Sequence, residues 1–262
     1  MHQIICRNSG EVFTVLRLVE SVCNAVKPVA LLAFACPFFV ATAEAAEVAE
    51  RHIHGFNSTG TVFVFEQFGI QDGSGFPYSQ IFHVLTANSG AAFLPVRALG
   101  SESQTVGSVR RKARKLAFKV DGFLGMGQHV FHRALNEAPS SVTTVRFYAD
   151  YATTLGHLEP LYRVSVGQQA SPQPECDFGG DEKTFEVTLE NLTSGTTSTL
   201  WAAAFPWAFY NYFCPTDYAI ADVILYRKDF GASTRIAVLI SVLVRGFEGP
   251  DRRFVAATGE LN

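Results

Sequence analysis

The segment that most constrains the fold runs from His54 to Val84, where two apolar strand patterns flank a glycine-rich loop. Thr61–Glu66 contains the run V-F-V-F, and β-branched and aromatic residues in an unbroken apolar run are typical of a strand buried on both faces. Gln71–Ser79 contains two glycines and a proline, which favour a loop. Gln80–Thr86 then resumes the strand pattern. The segment therefore predicts paired strands in a β-rich domain.

The same pattern recurs along the chain. Thr184–Glu190 alternates apolar and polar residues as a half-buried strand does, and a turn over Asn191–Gly195 separates it from a returning strand. The fold class predicted is mainly β, either propeller-like hairpin sheets or a β-sandwich, with one or two packed α-helices. The further strands predicted are Ala92–Val96, Thr197–Trp201, Ile220–Tyr226, Arg235–Val244 and Arg253–Thr258.

Two segments have helical character. Glu102–Val120 repeats apolar residues at steps of three and four and carries basic residues on the opposite face, which predicts an amphipathic helix packed on the body. We interpret the basic face as solvated, although such a face can also meet an anionic surface. A second, shorter helix is predicted over Gln128–Glu137.

An apolar run ending in small residues occupies positions 28–46. Lys27 precedes it, and Ala41–Ala43 and Ala43–Ala45 both fit an A-x-A cleavage site, which is typical of a secretory signal peptide. Pro37 interrupts the run, which is also short for a bilayer core of roughly 30 Å. The alternative is a structural or membrane-anchoring helix. We expect residues 1–46 to be leader and signal peptide, and 47–262 to form a single β-rich domain that is periplasmic or secreted.

The net charge of the domain argues against nucleic acid as a partner. The leader holds equal numbers of acidic and basic residues, so the domain keeps the net charge of −3, whereas nucleic-acid binding requires a basic face. No second apolar stretch reaches the roughly 20 residues that span a membrane. We expect an envelope protein or a small ligand as partner, with no nucleic acid and no membrane span in the mature chain.

The loop Asp72–Ser79 is the strongest candidate site. Gly73 and Gly75 permit positive φ, so that successive backbone N–H groups can converge on an anion. Asp72 and Ser74 can instead offer oxygen atoms to a cation. The structural alternative is that Asp72 stabilises the turn while the aromatic residues enter the core.

We expect this loop to lie close to the turn Gly246–Arg253. Pairing Thr61–Glu66 with Arg253–Thr258, or placing both in one sheet, would cover otherwise exposed strand edges and bring the two turns together. The predicted binding residues are Asp72, Ser74, Tyr78, Glu248 and Asp251.

The histidines do not define a metal centre by spacing alone. His52 and His54 would share one face of a strand, and His129 and His132 would share one face of a helix. Either pair can begin a metal site, but a zinc site needs a third protein ligand that the sequence does not nominate. We therefore expect no metal and no cofactor.

Other motifs do not indicate a particular reaction. The sequence has no G-x-S-x-G elbow, P-loop or dinucleotide fingerprint. The aromatic cluster from Trp201 to Phe213 fits either a packed core element or an exposed stacking platform. Whether the protein is an enzyme stays open: the leading hypothesis is non-enzymatic binding through loops, and the alternative is a hydrolase with a carboxylate-based site near the Asp72 loop.

Two motifs carry a family resemblance. His54–Glu66 with Asp72–Ser79 resembles the opening of a bacterial family of predicted secreted proteins of unknown function, and Gly246–Phe254 (GFEGPDRRF) resembles its C-terminal signature. This resemblance implies export and brings no established activity. Phe56–Phe65 also resembles the strand entry of β-propeller repeats in periplasmic TolB-like proteins, except that Thr59 stands where those repeats usually carry Asp.

Cysteine usage generates a testable prediction. Cys176 and Cys214 are the only cysteines beyond the leader, and a single pair in an oxidising compartment favours a disulfide over two unpaired thiols. Closing such a loop would stabilise the protein by about 4 kcal/mol in the chain-entropy model. Non-reducing peptide mapping of the exported protein should recover one linked pair. Thiols that label without reductant would contradict the bond.

Overall fold

The computed structural model describes residues 47–87, 95–118, 124–125, 127–134, 142–149, 161–171, 182–203, 214–229, 232–246 and 249–261. Glu44–Asn262 forms a compact unit. The described part contains thirteen β-strands and one α-helix. The strands are β1 Glu50–Asn57, β2 Val62–Ile70, β3 Pro77–Leu85, β4 Val96–Leu99, β5 Leu124–Gly125, β6 Gln128–His132, β7 Thr144–Tyr148, β8 Leu161–Ala170, β9 Lys183–Asn191, β10 Thr197–Ala203, β11 Pro215–Tyr226, β12 Arg235–Arg245 and β13 Pro250–Glu260; the helix, α1, is Val106–Ala117.

These strands form three antiparallel sheets. The first sheet has the order β4-β3-β2-β1-β5, the second β10-β9-β8-β7, and the central sheet β13-β12-β11-β6. The central sheet lies between the other two: Tyr226 of β11 stacks on Phe56 of the first sheet, with ring centroids 5.3 Å apart. Tyr218 of β11 contacts Phe185 of the second sheet, with centroids 4.4 Å apart. The mainly β, sandwich-type interpretation is therefore confirmed.

Burial on both faces explains the sequence of the central sheet. Ile236–Val242 is buried at every position, because side chains alternate between two covered faces. The first sheet follows the same rule, since Phe63 and Phe65 face the central sheet while Val64 packs under α1. Within the described strands we find no feature that supports the propeller resemblance.

A β-bulge at Ala221 switches the direction of the side chains along β11. Tyr218 and Tyr226 are eight residues apart and would share a face in a regular strand. They contact opposite sheets because the register between β11 and β12 shifts between Ile220 and Asp222. The bulge thus turns Asp222 toward the first sheet.

Helix α1 packs on the outer face of the first sheet. Thr105 caps its N-terminus by accepting a hydrogen bond from the Ser108 backbone N–H. Val109 and Ala113 face Val64 and Ile81 of the sheet. The amphipathic helix predicted over Glu102–Val120 is confirmed, although it begins at Val106 and ends at Ala117. The interpretation of its basic face as solvated is wrong for Arg110 and Arg114, which bind a buried carboxylate of the sheet. No helix among the described residues is both long and apolar enough to cross a membrane.

Glu66 links the sheet to this helix. Its carboxylate is fully buried and accepts hydrogen bonds from Arg110 Nε at 2.9 Å and from Arg114 Nη2 at 2.8 Å. The Ser79 hydroxyl donates a further bond, and His54 Nε2 lies 3.4 Å from Glu66 Oε2. Burial favours the protonated acid, but the hydrogen bonds from His54, Arg110 and Arg114 outweigh it and hold the pKa of Glu66 well below its ordinary value.

Two predictions about elements are wrong. The segment from Gln128 is a strand, not a second helix: β6 pairs with β11, and Val130 and Phe131 pack against the core. Thr61–Glu66 and Arg253–Thr258 lie in separate sheets. β13 is the edge strand of the central sheet, and it does not pair with β2. Part of its backbone is satisfied by a side chain instead, because the Phe254 backbone N–H donates to the Gln67 side chain at 2.9 Å.

The substitution Glu66→Gln tests the link between helix and sheet. Removing one partner of a buried ion pair leaves the other charge uncompensated, so we expect a loss of about 3 kcal/mol in the free energy of unfolding at pH 7. The pKa of Glu66 in the folded protein lies below the ordinary value of 4.5. The contribution of its carboxylate to the free energy of unfolding is therefore complete above pH 4.5 and decreases as the pH falls below that value. Urea unfolding of both proteins from pH 7 to pH 3 should show the difference shrinking.

Glu50→Gln, at an exposed position of the same sheet, is the matched control and should change the stability by less than about 0.5 kcal/mol. An equal effect of the two substitutions, or a difference that does not vary with pH, would contradict the link.

Candidate functional site

The loop between β2 and β3 has the backbone predicted for it, but the N–H groups of Asp72, Ser74, Gly75 and Phe76 donate to acceptors within the protein. Gly73 and Gly75 adopt φ of 76° and 69°. The Gly75 N–H donates to the Gln71 carbonyl at 3.0 Å, and the Phe76 N–H donates to the Ser74 hydroxyl at 3.3 Å. These bonds agree with the alternative interpretation, in which the polar groups of the loop stabilise its own turn and do not bind a ligand.

A buried ion-pair cluster anchors the base of this loop. The Asp72 backbone N–H donates to Glu47 Oε2 at 3.0 Å. The same oxygen accepts from Arg253 Nη2 at 2.8 Å, and Arg253 also lies 3.3 Å from Asp251 Oδ2. The Arg253 guanidinium lies 5.7 Å from the Tyr78 ring centroid. The carboxylate of Glu47 therefore takes the place that the sequence suggested for an external anion.

Asp251 is held from both sides. Its Oδ1 accepts the Glu47 backbone N–H at 2.9 Å, and its Oδ2 faces Arg253. Burial raises the pKa of Asp251, while Arg253 and the bond from Glu47 oppose the rise. Gly246 is required beside it, because an added Cβ would lie 2.6 Å from Asp251 Oδ1.

The predicted proximity of the two turns is confirmed, although the strand pairing proposed to cause it is wrong. Asp72, Tyr78 and Asp251 come together through Glu47 and Arg253, and Ser74 lies at the exposed tip of the loop. Sequence reasoning missed both connecting residues. Neither has a local signal that names its partner, because Arg253 follows the charged residues Asp251 and Arg252 at the start of β13.

Several predicted features fall outside the described residues. Glu248, Cys176, positions 1–46 and the aromatic segment 204–213 belong to this group. Cys214 is described and is partly exposed just before β11, so its bond to Cys176 stays a prediction. Trp201 is described, buried and stacked on Phe185 with centroids 5.9 Å apart, as expected of a core element.

Three exposed hydrophobic side chains lie close to the ends of the anchored loop in sequence or in strand register, or next to its anchor Glu47. Among the described residues four large hydrophobic side chains are exposed: Val48 (47%), Ile70 (56%), Leu99 (51%) and Leu116 (46%). Ile70 ends β2 directly before the loop, Leu99 pairs with Tyr78 directly after it, and Val48 follows Glu47. We call Val48, Ile70, Leu99 and the tip Gly73–Gly75 the loop edge.

A second polar cluster lies on the central sheet around Asp222. Its side chain is fully buried, and Arg51 of β1 donates Nε to Oδ2 at 2.5 Å. Arg51 also donates to the carbonyl oxygens of Arg133 and of the bulge residue Ala221. The arginine thus fixes one carboxylate oxygen and leaves the other, Oδ1, directed to β6.

Two histidines of β6 face that oxygen. His132 Nδ1 lies 2.6 Å and His129 Nδ1 lies 3.8 Å from Asp222 Oδ1. Residues three apart on a regular strand point to opposite faces, but the register between β6 and β11 shifts at this point. The extra residue, Val130, brings both histidines to the face of Asp222. Burial lowers the pKa of His129 despite the opposing charge of Asp222.

The other histidine pair has a different environment. His52 and His54 share one side of β1, as predicted, with ring centroids 4.7 Å apart. The neighbouring carboxylate, Glu66, is already engaged by Arg110 and Arg114. This pair therefore belongs to the contact between helix and sheet.

Comparison with known proteins identifies a family. A family model described as "Predicted secreted protein (DUF2259)" matches residues 64–260, about three quarters of the chain. No curated protein and no solved structure is significantly similar to the chain.

Proposed function

The chain belongs to this family of predicted secreted proteins, and we propose that it acts in the cell envelope as a binding protein that contacts a partner protein through the loop edge. The observation that supports this proposal is the position of the exposed apolar side chains. Three of the four found among the described residues lie next to the ends of one loop or to its anchor Glu47, with Ile70 and Leu99 on opposite faces of the first sheet. Clustered exposed apolar side chains are typical of protein–protein contact sites.

The chemistry of the loop edge favours a protein partner over a charged small ligand. The tip residues Gly73–Gly75 carry no charge, and Val48, Ile70 and Leu99 offer only apolar surface. The charged groups of Glu47, Asp251 and Arg253 are buried beneath and bind one another. The residues of the loop edge therefore carry no charged side chain, and an apolar protein surface complements them.

The anchoring of the loop supports the same function. The loop is tied to the body through Glu47 and by its own backbone bonds, so little freedom is left to lose on binding. A surface ordered beforehand reduces the entropic cost of association. This is the role we assign to the buried cluster.

A hydrolase with a carboxylate-based site is the second candidate, favoured by the raised pKa of Asp251 beside Glu47. Arg253 contacts both carboxylates, and Glu66 is engaged by Arg110 and Arg114. Acid–base catalysis requires a group that can reach substrate, so binding agrees better with these contacts. If the hydrolase is correct, Asp251→Asn will abolish cleavage of a chromogenic ester, glycoside or phosphoester without changing partner affinity.

Site-specific photo-cross-linking tests the proposed binding surface. A photoreactive side chain at Ile70 or at Leu99 should cross-link the same partner protein in secreting cells. The matched control is Leu116, equally exposed but on helix α1. With the partner purified, Ile70→Asp should weaken its binding roughly tenfold or more, since a charge would be buried in an apolar contact.

Leu116→Asp should leave the affinity unchanged. Equal cross-linking from all three positions, or equal affinity of the two aspartate variants, would contradict a specific surface at the loop edge.

A further inference from the structure

We propose that His129, His132 and Asp222 form a binding site for a divalent transition-metal ion such as Zn²⁺, Ni²⁺ or Co²⁺. One ligand atom from each of the three residues lies within 4.8 Å of the other two. Two imidazole nitrogens and one carboxylate oxygen are a common donor set for such ions in proteins. The site is independent of the loop edge, because none of its residues belongs to that surface.

The distances require only small movements to accept an ion. Ligand atoms about 2.1 Å from a tetrahedral ion lie roughly 3.3 Å from one another. Asp222 Oδ1 is now 2.6 Å from His132 Nδ1 and 3.8 Å from His129 Nδ1, so these two distances must change by about 0.7 and 0.5 Å to reach that separation. The ligand nitrogens of the two histidines lie no more than 4.8 Å apart. The histidine side chains are 62% and 42% exposed and can rotate by that amount.

The backbone supports the arrangement independently of the side-chain distances. A bulge at Ala221 turns Asp222 toward the first sheet, and a bulge at Val130 turns both histidines to the same face. Bulges are over-represented next to functional sites, where they redirect side chains. Two bulges on neighbouring strands converge here on one carboxylate oxygen.

Arg51 serves as a positioning residue for the site. It holds Asp222 Oδ2, so that the carboxylate can bind an ion through Oδ1 alone. Hydrogen-bonded partners that orient a ligating group in this way are a regular part of metal sites. The positive charge of Arg51 also opposes a cation, so much of the binding must come from the two imidazole nitrogens.

The donor set predicts selectivity. Mg²⁺ and Ca²⁺ prefer six or more oxygen ligands, whereas this cluster offers one carboxylate oxygen and two nitrogens. Zn²⁺ and its neighbours accept imidazole readily. With three protein ligands, a tetrahedral ion keeps one position for water or another exchangeable ligand.

Isothermal titration calorimetry of the untagged exported protein with ZnCl₂ tests the site. We expect one Zn²⁺ per chain and no binding of Mg²⁺ or Ca²⁺. His129→Gln and His132→Gln should each weaken Zn²⁺ binding at least tenfold. Mutating a residue that only orients a ligand typically lowers metal affinity about 10–100-fold, and removing the ligand itself should lower it by no less. Because both side chains are exposed, thermal unfolding should show that the variants remain folded.

His52→Gln is the control and should bind Zn²⁺ as the unaltered protein does. Absence of Zn²⁺ binding in the unaltered protein would overturn the site, as would equal Zn²⁺ affinity in all three variants. Binding of Ca²⁺ or Mg²⁺ as tight as that of Zn²⁺ would also overturn it, because oxygen ligands would then dominate.

Discussion

A carboxylate that folding removes from water must be paired, and in this protein arginines, most of them from other elements, provide the partners. Arg110 and Arg114 of α1 bind Glu66 of the first sheet, and Arg51 of the first sheet binds Asp222 of the central sheet. Arg253 gathers Glu47 and Asp251 beneath the loop edge. Apart from the Asp251–Arg253 pair, which lies within β13, these ion pairs lie where two parts of the fold meet, and the relative positions of those parts depend on them.

The need to pair buried carboxylates also determines what each site can do. Glu66 is bound by Arg110 and Arg114, and Glu47 binds Arg253 and the Asp72 backbone N–H through Oε2, so we assign both carboxylates structural roles. Asp222 differs, because Arg51 occupies one of its oxygens and the other faces two exposed histidines. The pairing of Arg51 with Asp222 thus stabilises the interface between the sheets and also orients Asp222 Oδ1 toward the histidines. At the loop edge the charged groups of Glu47, Asp251 and Arg253 are buried and bind one another.

Much of the fold could be predicted from local patterns. The alternation in Thr184–Glu190 and the apolar run in Arg235–Val244 identify strands, and Gly73 and Gly75 identify a positive-φ loop, because these features depend on neighbouring residues alone. The helix predicted over Gln128–Glu137 is wrong, since β6 occupies Gln128–His132 and a bulge, not helical spacing, puts His129 and His132 on one face. Bulges depend on the register with a distant strand, which the local pattern does not contain.

The sites were harder to predict for the same reason. Asp222 stands in the apolar run A-I-A-D-V-I-L-Y, and a lone carboxylate in such a run indicates a buried partner without naming it. Arg51 is 171 positions away, so only the packing of the sheets identifies the pair. Glu47 and Arg253 were missed because a bond over so long a separation likewise has no local signal.

A double-mutant cycle on Arg51 and Asp222 tests the dependence of the fold on these pairs most directly. The free energy of unfolding would be measured for Arg51→Gln, Asp222→Asn and the double variant. Because both side chains are nearly inaccessible to solvent, we expect a coupling energy of roughly 2 kcal/mol, with the double variant less destabilised than the sum of the single variants. Additivity within about 0.5 kcal/mol would show that the pair does not hold the two sheets together.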